Sequence, residues 1–440
     1  MDRRLPFISL ANLFRKSNTV AFGIAAILFL ASGASASNFI IYSFQNSNDG
    51  VAPRAGLVAD RVGNLYGTTF YGGQFGAGTV FQLSPPAVKG GAWTETTLYT
   101  FDFRTGTGPS ASLILDSAGN LYGTTWLGGT CGGGAIFELT PPAVQGGLWT
   151  ETASLGCVAN DVYTPLAGLV MDVAGNLYGT ATSGGAYCTF GGCGGVFELA
   201  KPSFPGGAWT ETVIYNFNGA DFPEGSIGGT RAGLSMDASG ALYGTTFAYD
   251  GSPFGTVFRL NPPTHRGAHW THSLLYAFKG STDGAGSFSG VIFDKNGNLD
   301  GATMLGGNGC SYYTGSCGMV FQLTPTPKGP WQKTVLYSFN GAKDGGAPGG
   351  DLTISPSGKL YGTAWGGDSK CWSCGEVFRL EPNGGSWKET VLQHFSGGTE
   401  SEGPVGSVVF GWHGALYGAS FSGGDGSCIT GCGAVIKISP

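Results

Sequence analysis

Cysteine is the most reactive side chain in this 440-residue sequence, and eight of its ten copies form close pairs: Cys188 with Cys193, Cys310 with Cys317, Cys371 with Cys374, and Cys428 with Cys432. The remaining pair, Cys131 with Cys157, is more widely spaced. Thiolates at such spacing can hold zinc, cycle as a redox dithiol or oxidise to disulfides that staple loops. Cys371-x-x-Cys374 has the zinc and redox spacing, but no second Cys-x-x-Cys lies nearby, and cysteine pairs recur at the same place in other repeats. Disulfides are therefore the expectation for all five pairs, and no metal or other cofactor is expected.

A second set is aromatic. Phe70, Trp126, Phe247, Trp365 and Phe421 each stand four residues beyond the same point of a recurring phrase, where the two other copies have Thr182 and Met304. Two readings fit: a ring of stacking platforms for sugar rings or a peptide, or caps on an apolar layer between neighbouring repeats. An acid, Asp300, replaces tyrosine in one copy of the phrase. It marks either a functional asymmetry, with an acid or base near a central axis, or a lost aromatic at a tolerant position. Asp49-Gly50, Asp283-Gly284 and Asp344-Gly345 read as turn formers rather than calcium ligands, because no dense Asp-x-Asp-x-Asp-Gly run accompanies them. His265, His269 and His272 lie close together without acidic partners, so no metal site is expected there. No Gly-x-Ser-x-Gly elbow, phosphate loop or His-Glu-x-x-His helix is present.

The elements that must position these residues are set by a repeat. Gly63-Asn64-Leu65-Tyr66-Gly67-Thr68-Thr69 is the first of seven copies, some of them degenerate, and from Tyr66 to Tyr417 the marker spacings are 56, 56, 65, 57, 61 and 56 residues. Each unit reads as four short strands. Strand A (56–60 in the first unit) leads through an Asp-x-x-Gly turn into strand B, the Leu-Tyr-Gly-Thr phrase. A glycine-rich loop carries the chain to strand C (79–83), which ends at Ser84-Pro85-Pro86. Strand D (93–99) alternates polar and apolar residues. Seven such sheets bury both faces by stacking radially, which predicts an all-β, seven-bladed β-propeller. Residues 38–44 match strand D and residues 435–438 match strand C, so the N-terminal strand is expected to complete the last blade. The B-to-C and D-to-A loops then share one face.

Composition agrees: 81 glycines, 29 phenylalanines and 17 tyrosines accompany only 11% charged residues. Four basic residues up to Lys16, an apolar run from Val20 to Leu30 and Ala34-Ser35-Ala36 read as a signal peptide over residues 1–36, with a single propeller domain over 37–440. The apolar run is short of the roughly 20 residues that span a bilayer, so no membrane span is expected after cleavage. The net charge of −6 falls to about −9 without the first 36 residues, which disfavours nucleic acid as a partner. A secreted or periplasmic monomer is expected.

Leu-Tyr-Ser-Phe, the Asp-Gly loop, Gly-Asn-Leu-Tyr-Gly-Thr-Thr and Val-Phe-x-Leu-Thr-Pro occur together and in order over nearly all of residues 38–440. In this the chain resembles the bacterial choice-of-anchor tandem-repeat proteins, whose repeat is nicknamed GloVer. The resemblance implies a surface or extracellular location and carries over no catalytic residue. Members commonly end in a sorting anchor; the sequence reaches Pro440 without one, so attachment by that route is not part of the expectation. The functional expectation is a non-catalytic binding or scaffold module that holds a glycan, peptide or protein partner on the face of the B-to-C and D-to-A loops. The alternative is a lyase or hydrolase acting on a polysaccharide or small exported substrate near the axis, with Asp300 as acid or base.

Overall fold

The computed structural model describes residues 39–439 except 47, 131, 145, 156–161, 186–193, 205–206, 218–229, 248–253, 266, 309–316, 328, 342–343, 367–373, 396–401, 425–427 and 429–430. The N-terminal segment read as a signal peptide lies outside the described residues. Seven antiparallel sheets form a seven-bladed propeller, and the described residues contain no α-helix. In the first blade, strands A, B, C and D are Val58–Ala59, Leu65–Thr69, Thr79–Ser84 and Thr94–Thr100, paired in that order.

The repeated phrase is explained by what each of its residues touches. Asp60 Oδ1 accepts the backbone N–H groups of Val62 and Asn64 at 2.9 and 2.8 Å, while Oδ2 accepts the Asn64 amide at 2.7 Å and the Tyr66 hydroxyl at 3.1 Å. Gly63, at φ 96°, supplies the left-handed residue that closes the turn. Asp116 and Asp172 repeat this network in the next two blades. Gly67 leaves room for its cross-strand partner: a Cβ there would sit 2.6 Å from the Phe81 ring.

The core lies between blades rather than within them. In five blades the phenylalanine that follows strand D packs edge-on against a strand C phenylalanine of the next blade, as in Phe101 on Phe137 (4.9 Å), Phe278 on Phe321 (5.2 Å) and Phe339 on Phe378 (5.1 Å). The final blade is closed as expected. Phe39–Ser43 pairs antiparallel with strand C of that blade, Ala434–Ile438, and the Phe44 ring meets Phe81 of the first blade at 5.1 Å.

Strand A is shorter than expected. Residues 56–57 and Asp60, read as part of it, lie outside the ladder: Gly56 lines the axial cavity and Leu57 is buried in the core cluster shared with the last blade. Glycine is required at the first of these, because a Cβ on Gly56 would meet the hydroxyls of Ser407 and Ser112. The D-to-A loops also pair with the ends of strand B, through Thr107↔Leu127 in the second blade and Gly346↔Gly366 in the sixth. These short ladders hold the loop residues against the blades.

Candidate functional site

Where the D-to-A loops turn into strand A, the propeller axis opens into a cavity of about 610 Å³. Most of its wall comes from one repeated stretch, the residues that follow Pro53, Pro109, Pro165, Thr230, Ser287, Pro348 and Pro404. Most of that wall is small: Ala55-Gly56, Ala111-Ser112, Ala167-Gly168, Ala232-Gly233 and Gly349-Gly350. Small residues are required because the inner strands converge on the axis, and this leaves the larger side chains to determine the chemistry.

Those larger side chains differ from blade to blade. Arg54 and Arg231 project from the first and fourth blades, Phe288 from the fifth, Asp351 and Trp365 from the sixth, and Phe421 from the seventh. The Arg54 guanidinium lies 4.1 Å from the Phe70 ring centroid and 4.6 Å from that of Phe421. Arg231 lies 5.3 Å from both Phe247 and Phe288. Such stacking restrains an arginine while leaving the N–H groups in its plane able to bond elsewhere. Asp351 Oδ1 accepts the Gly290 backbone N–H at 2.6 Å. Burial pushes its carboxyl above the ordinary carboxylate range, against the lowering effect of that bond.

The five aromatics that are equivalent in sequence are not equivalent in space. Phe70 and Phe247 are each 4% exposed and act as packing surfaces, whereas Trp126 and Trp365 are each 39% exposed. Trp365 and Phe421 line the cavity; Trp126 stands outside it, 5.7 Å from Phe70. The set therefore divides into two buried packing rings, Phe70 and Phe247, and the more exposed Trp126, Trp365 and Phe421, of which Trp365 and Phe421 face the cavity.

Asp300 lies elsewhere. It sits on strand B of the fifth blade (Leu299–Thr303), is 1% exposed, and accepts a 2.9 Å bond from its cross-strand neighbour Gln322. Burial, reinforced by Asp294, pushes its carboxyl up to about 6 despite that bond. The acidic turns are structural: Asp49, Asp283 and Asp344 accept the hydroxyls of Tyr42, Tyr276 and Tyr337 at 2.8, 2.7 and 2.6 Å. His272 stacks on Tyr215 with ring centroids 5.0 Å apart.

Cys428 and Cys432 form a disulfide, and Cys317 and Cys374 are also disulfide-bonded. Cys131, Cys157, Cys188, Cys193, Cys310 and Cys371 lie outside the described residues. Arg54, Arg231, Phe288 and Asp351 were not singled out in the sequence. Aligning the seven copies on the residue after Pro53 and its equivalents, and asking which copies depart from a small side chain, would have found the two arginines and Phe288.

Comparisons with known proteins agree on the fold. A fungal alcohol oxidase of the AA5 family, solved in complex with copper, matches with a TM-score of 0.54 at 15% identity, over 91% of this chain and 75% of the oxidase. The extracellular domain assigned to a hybrid two-component system of B. thetaiotaomicron gives 0.53 at 12% identity, over 92% of this chain and 41% of that one. A second extracellular domain from B. thetaiotaomicron, assigned to a one-component system, gives 0.51 at 13% identity, over 92% and 42%. No curated protein matches the sequence. The Gloeobacter/Verrucomicrobia repeat matches residues 25–190, 90–315 and 233–440, which together take in all seven blades, and the chain belongs to that repeat family.

Proposed function

We propose that this protein is an exported binding module, and that its ligand enters the axial cavity from the face of the B-to-C and D-to-A loops. The observation that carries this reading is the cavity itself. At about 610 Å³ it falls within the range of small-ligand pockets, roughly 300–1,000 Å³. It brings cations, a carboxylate and partly exposed aromatic rings to one place within a wall of small residues. Export through residues 1–36, and a destination in the periplasm or outside the cell, belong to the same proposal. The solved structures of similar fold include an oxidase and two extracellular domains, so likeness of fold does not choose among functions. A role for Asp300 as acid or base at the axis gains no support from its position, because its carboxylate faces Gln322 rather than the cavity.

Glycan and peptide arrays probed with the exported protein test the reading. Trp365→Ala should weaken binding of the selected ligand by about 2 kcal/mol, roughly 30-fold in calorimetry, as for a partly buried aromatic anchor. Trp126→Ala, which alters an equally exposed indole outside the cavity, should leave the affinity within about twofold. Equal losses in both variants, or none in either, would remove the axial cavity as the site.

A further inference from the structure

Arg54 and Arg231 occupy the same position of the repeat, and the equivalent residues in four other blades are Ser110, Leu166, Phe288 and Gly349. The cations are thus additions to individual blades and not part of the scaffold phrase. Among the described residues neither guanidinium forms an ion pair with a carboxylate. Both are instead held against aromatic faces, Arg54 between Phe70 and Phe421 and Arg231 beside Phe247 and Phe288. In a chain of net charge −6, this places two restrained cations at the mouth of one cavity. A fork of N–H donors matches the paired oxygens of an anion such as a carboxylate.

Two further groups narrow the choice. Asp351 has one oxygen bonded to the Gly290 N–H, and its other oxygen has no donor among the described residues, so it can accept from hydroxyl groups. Trp365 rests against Gly349, where a Cβ would lie 2.9 Å from the indole, and tilts over Phe288 at 5.8 Å between ring centroids. It offers an apolar plate beside the polar groups. A ligand that meets all three demands within one unit has a carboxylate, neighbouring hydroxyls and a flat C–H face.

The geometry points to a carboxylate-bearing saccharide, a run of uronate units of an acidic polysaccharide, as the ligand class of the axial cavity, with Arg54 and Arg231, three blades apart, each taking a carboxylate, Asp351 the hydroxyls and Trp365 a ring face. The assignment rests on the binding reading above. An acidic peptide satisfies the arginines but brings no hydroxyls beside its carboxylates.

Calorimetry on the exported protein separates the two. The probes are oligomers of galacturonate, glucuronate, mannuronate and guluronate, their carboxyl-methyl esters, and a tetraglutamate peptide. At least one uronate oligomer should bind ten or more times tighter than its ester, with affinity falling as salt rises. Arg231→Gln, which alters an exposed side chain, should weaken that binding roughly 10- to 100-fold without moving the thermal midpoint, and Arg54→Gln should act in the same direction. An ester that binds as well as its acid, a uronate that binds Arg231→Gln and Arg54→Gln unchanged, or binding of tetraglutamate with no uronate bound, would overturn the uronate assignment while leaving a binding module. Failure of every saccharide and peptide, on these probes and on the arrays, would overturn both.

Discussion

A chain lacking residues 39–44 should lose about 5 kcal/mol or more of stability, a large part of what an ordinary folded domain possesses, and should aggregate on warming where the intact chain melts cooperatively. The strand Phe39–Ser43 is the outermost member of the last blade and the only one drawn from the N-terminal end of the described residues. Its removal exposes the edge of Ala434–Ile438, an apolar strand of alanine, valine and isoleucine around one lysine, and strips the cover from a cluster that includes Leu65, Phe81, Tyr417 and Val435. Phe44 is the residue of greatest effect within the segment. It is fully buried and stands against Phe81 as Phe101 stands against Phe137, so Phe44→Ala alone should cost about 3–5 kcal/mol. Thermal unfolding followed by circular dichroism measures both variants. Adding a synthetic peptide of residues 38–46 to the shortened chain should recover part of the loss. A shortened chain that melts like the intact one would show that the ring is held by something other than this strand.

The same closure bears on the axial cavity. Arg54 of the first blade stacks on Phe421 of the seventh, so one wall of the proposed site straddles the seam that the N-terminal strand fastens. Opening that seam separates a cation from one of its two aromatic supports. Binding should therefore weaken before the other blades unfold.

The scaffold was legible in the sequence because its bonds are local. Asp60, Gly63, Asn64 and Tyr66 satisfy one another within seven residues, and the same types recur wherever the same turn must form. Ring closure was legible for a similar reason, since residues 38–44 carry the strand D pattern of alternating side chains ending in phenylalanine. The cavity was not. Arg54 and Arg231 sit where the repeat has no preferred side chain, Asp351 replaces a glycine or serine of the other copies, and the three come to one cavity only when blades far apart in sequence meet at the axis. The aromatic set was legible in position but not in exposure: Phe70 lies under Arg54 and against Gly108, whereas the larger indole of Trp365 reaches past Gly349 into the opening. Asp300 drew notice as the one break in the phrase, yet the turn network reaches strand B on the side of the A-to-B turns, away from the axial mouth.

That break has its consequence in stability. Asp300→Asn should stabilise the protein by about 3 kcal/mol at pH 7.5 and by about 1 kcal/mol at pH 4.5. Burial raises the Asp300 carboxyl from 3.8 to about 6 in the folded chain, so the folded state binds its proton more tightly than the unfolded state does. Below the unfolded value both states are protonated and the group contributes nothing. Between the two values the unfolded state ionises first, and stability falls as pH rises, by about 1.4 kcal/mol per pH unit, until the folded carboxyl also ionises near 6. Asparagine keeps an oxygen for the Gln322 amide, which donates to Asp300 at 2.9 Å, and replaces the repulsion from Asp294 with an amide that can donate to it. Denaturant unfolding of both proteins from pH 4.5 to 8 measures the difference, which should widen with pH and level off above about 6.5. A constant difference across that range would mean that the Asp300 carboxyl titrates no higher in the folded ring than in the unfolded chain. Ligand affinity should be the same in both proteins, because the carboxylate lies within a blade and outside the axial wall; a lost affinity would return Asp300 to the functional site.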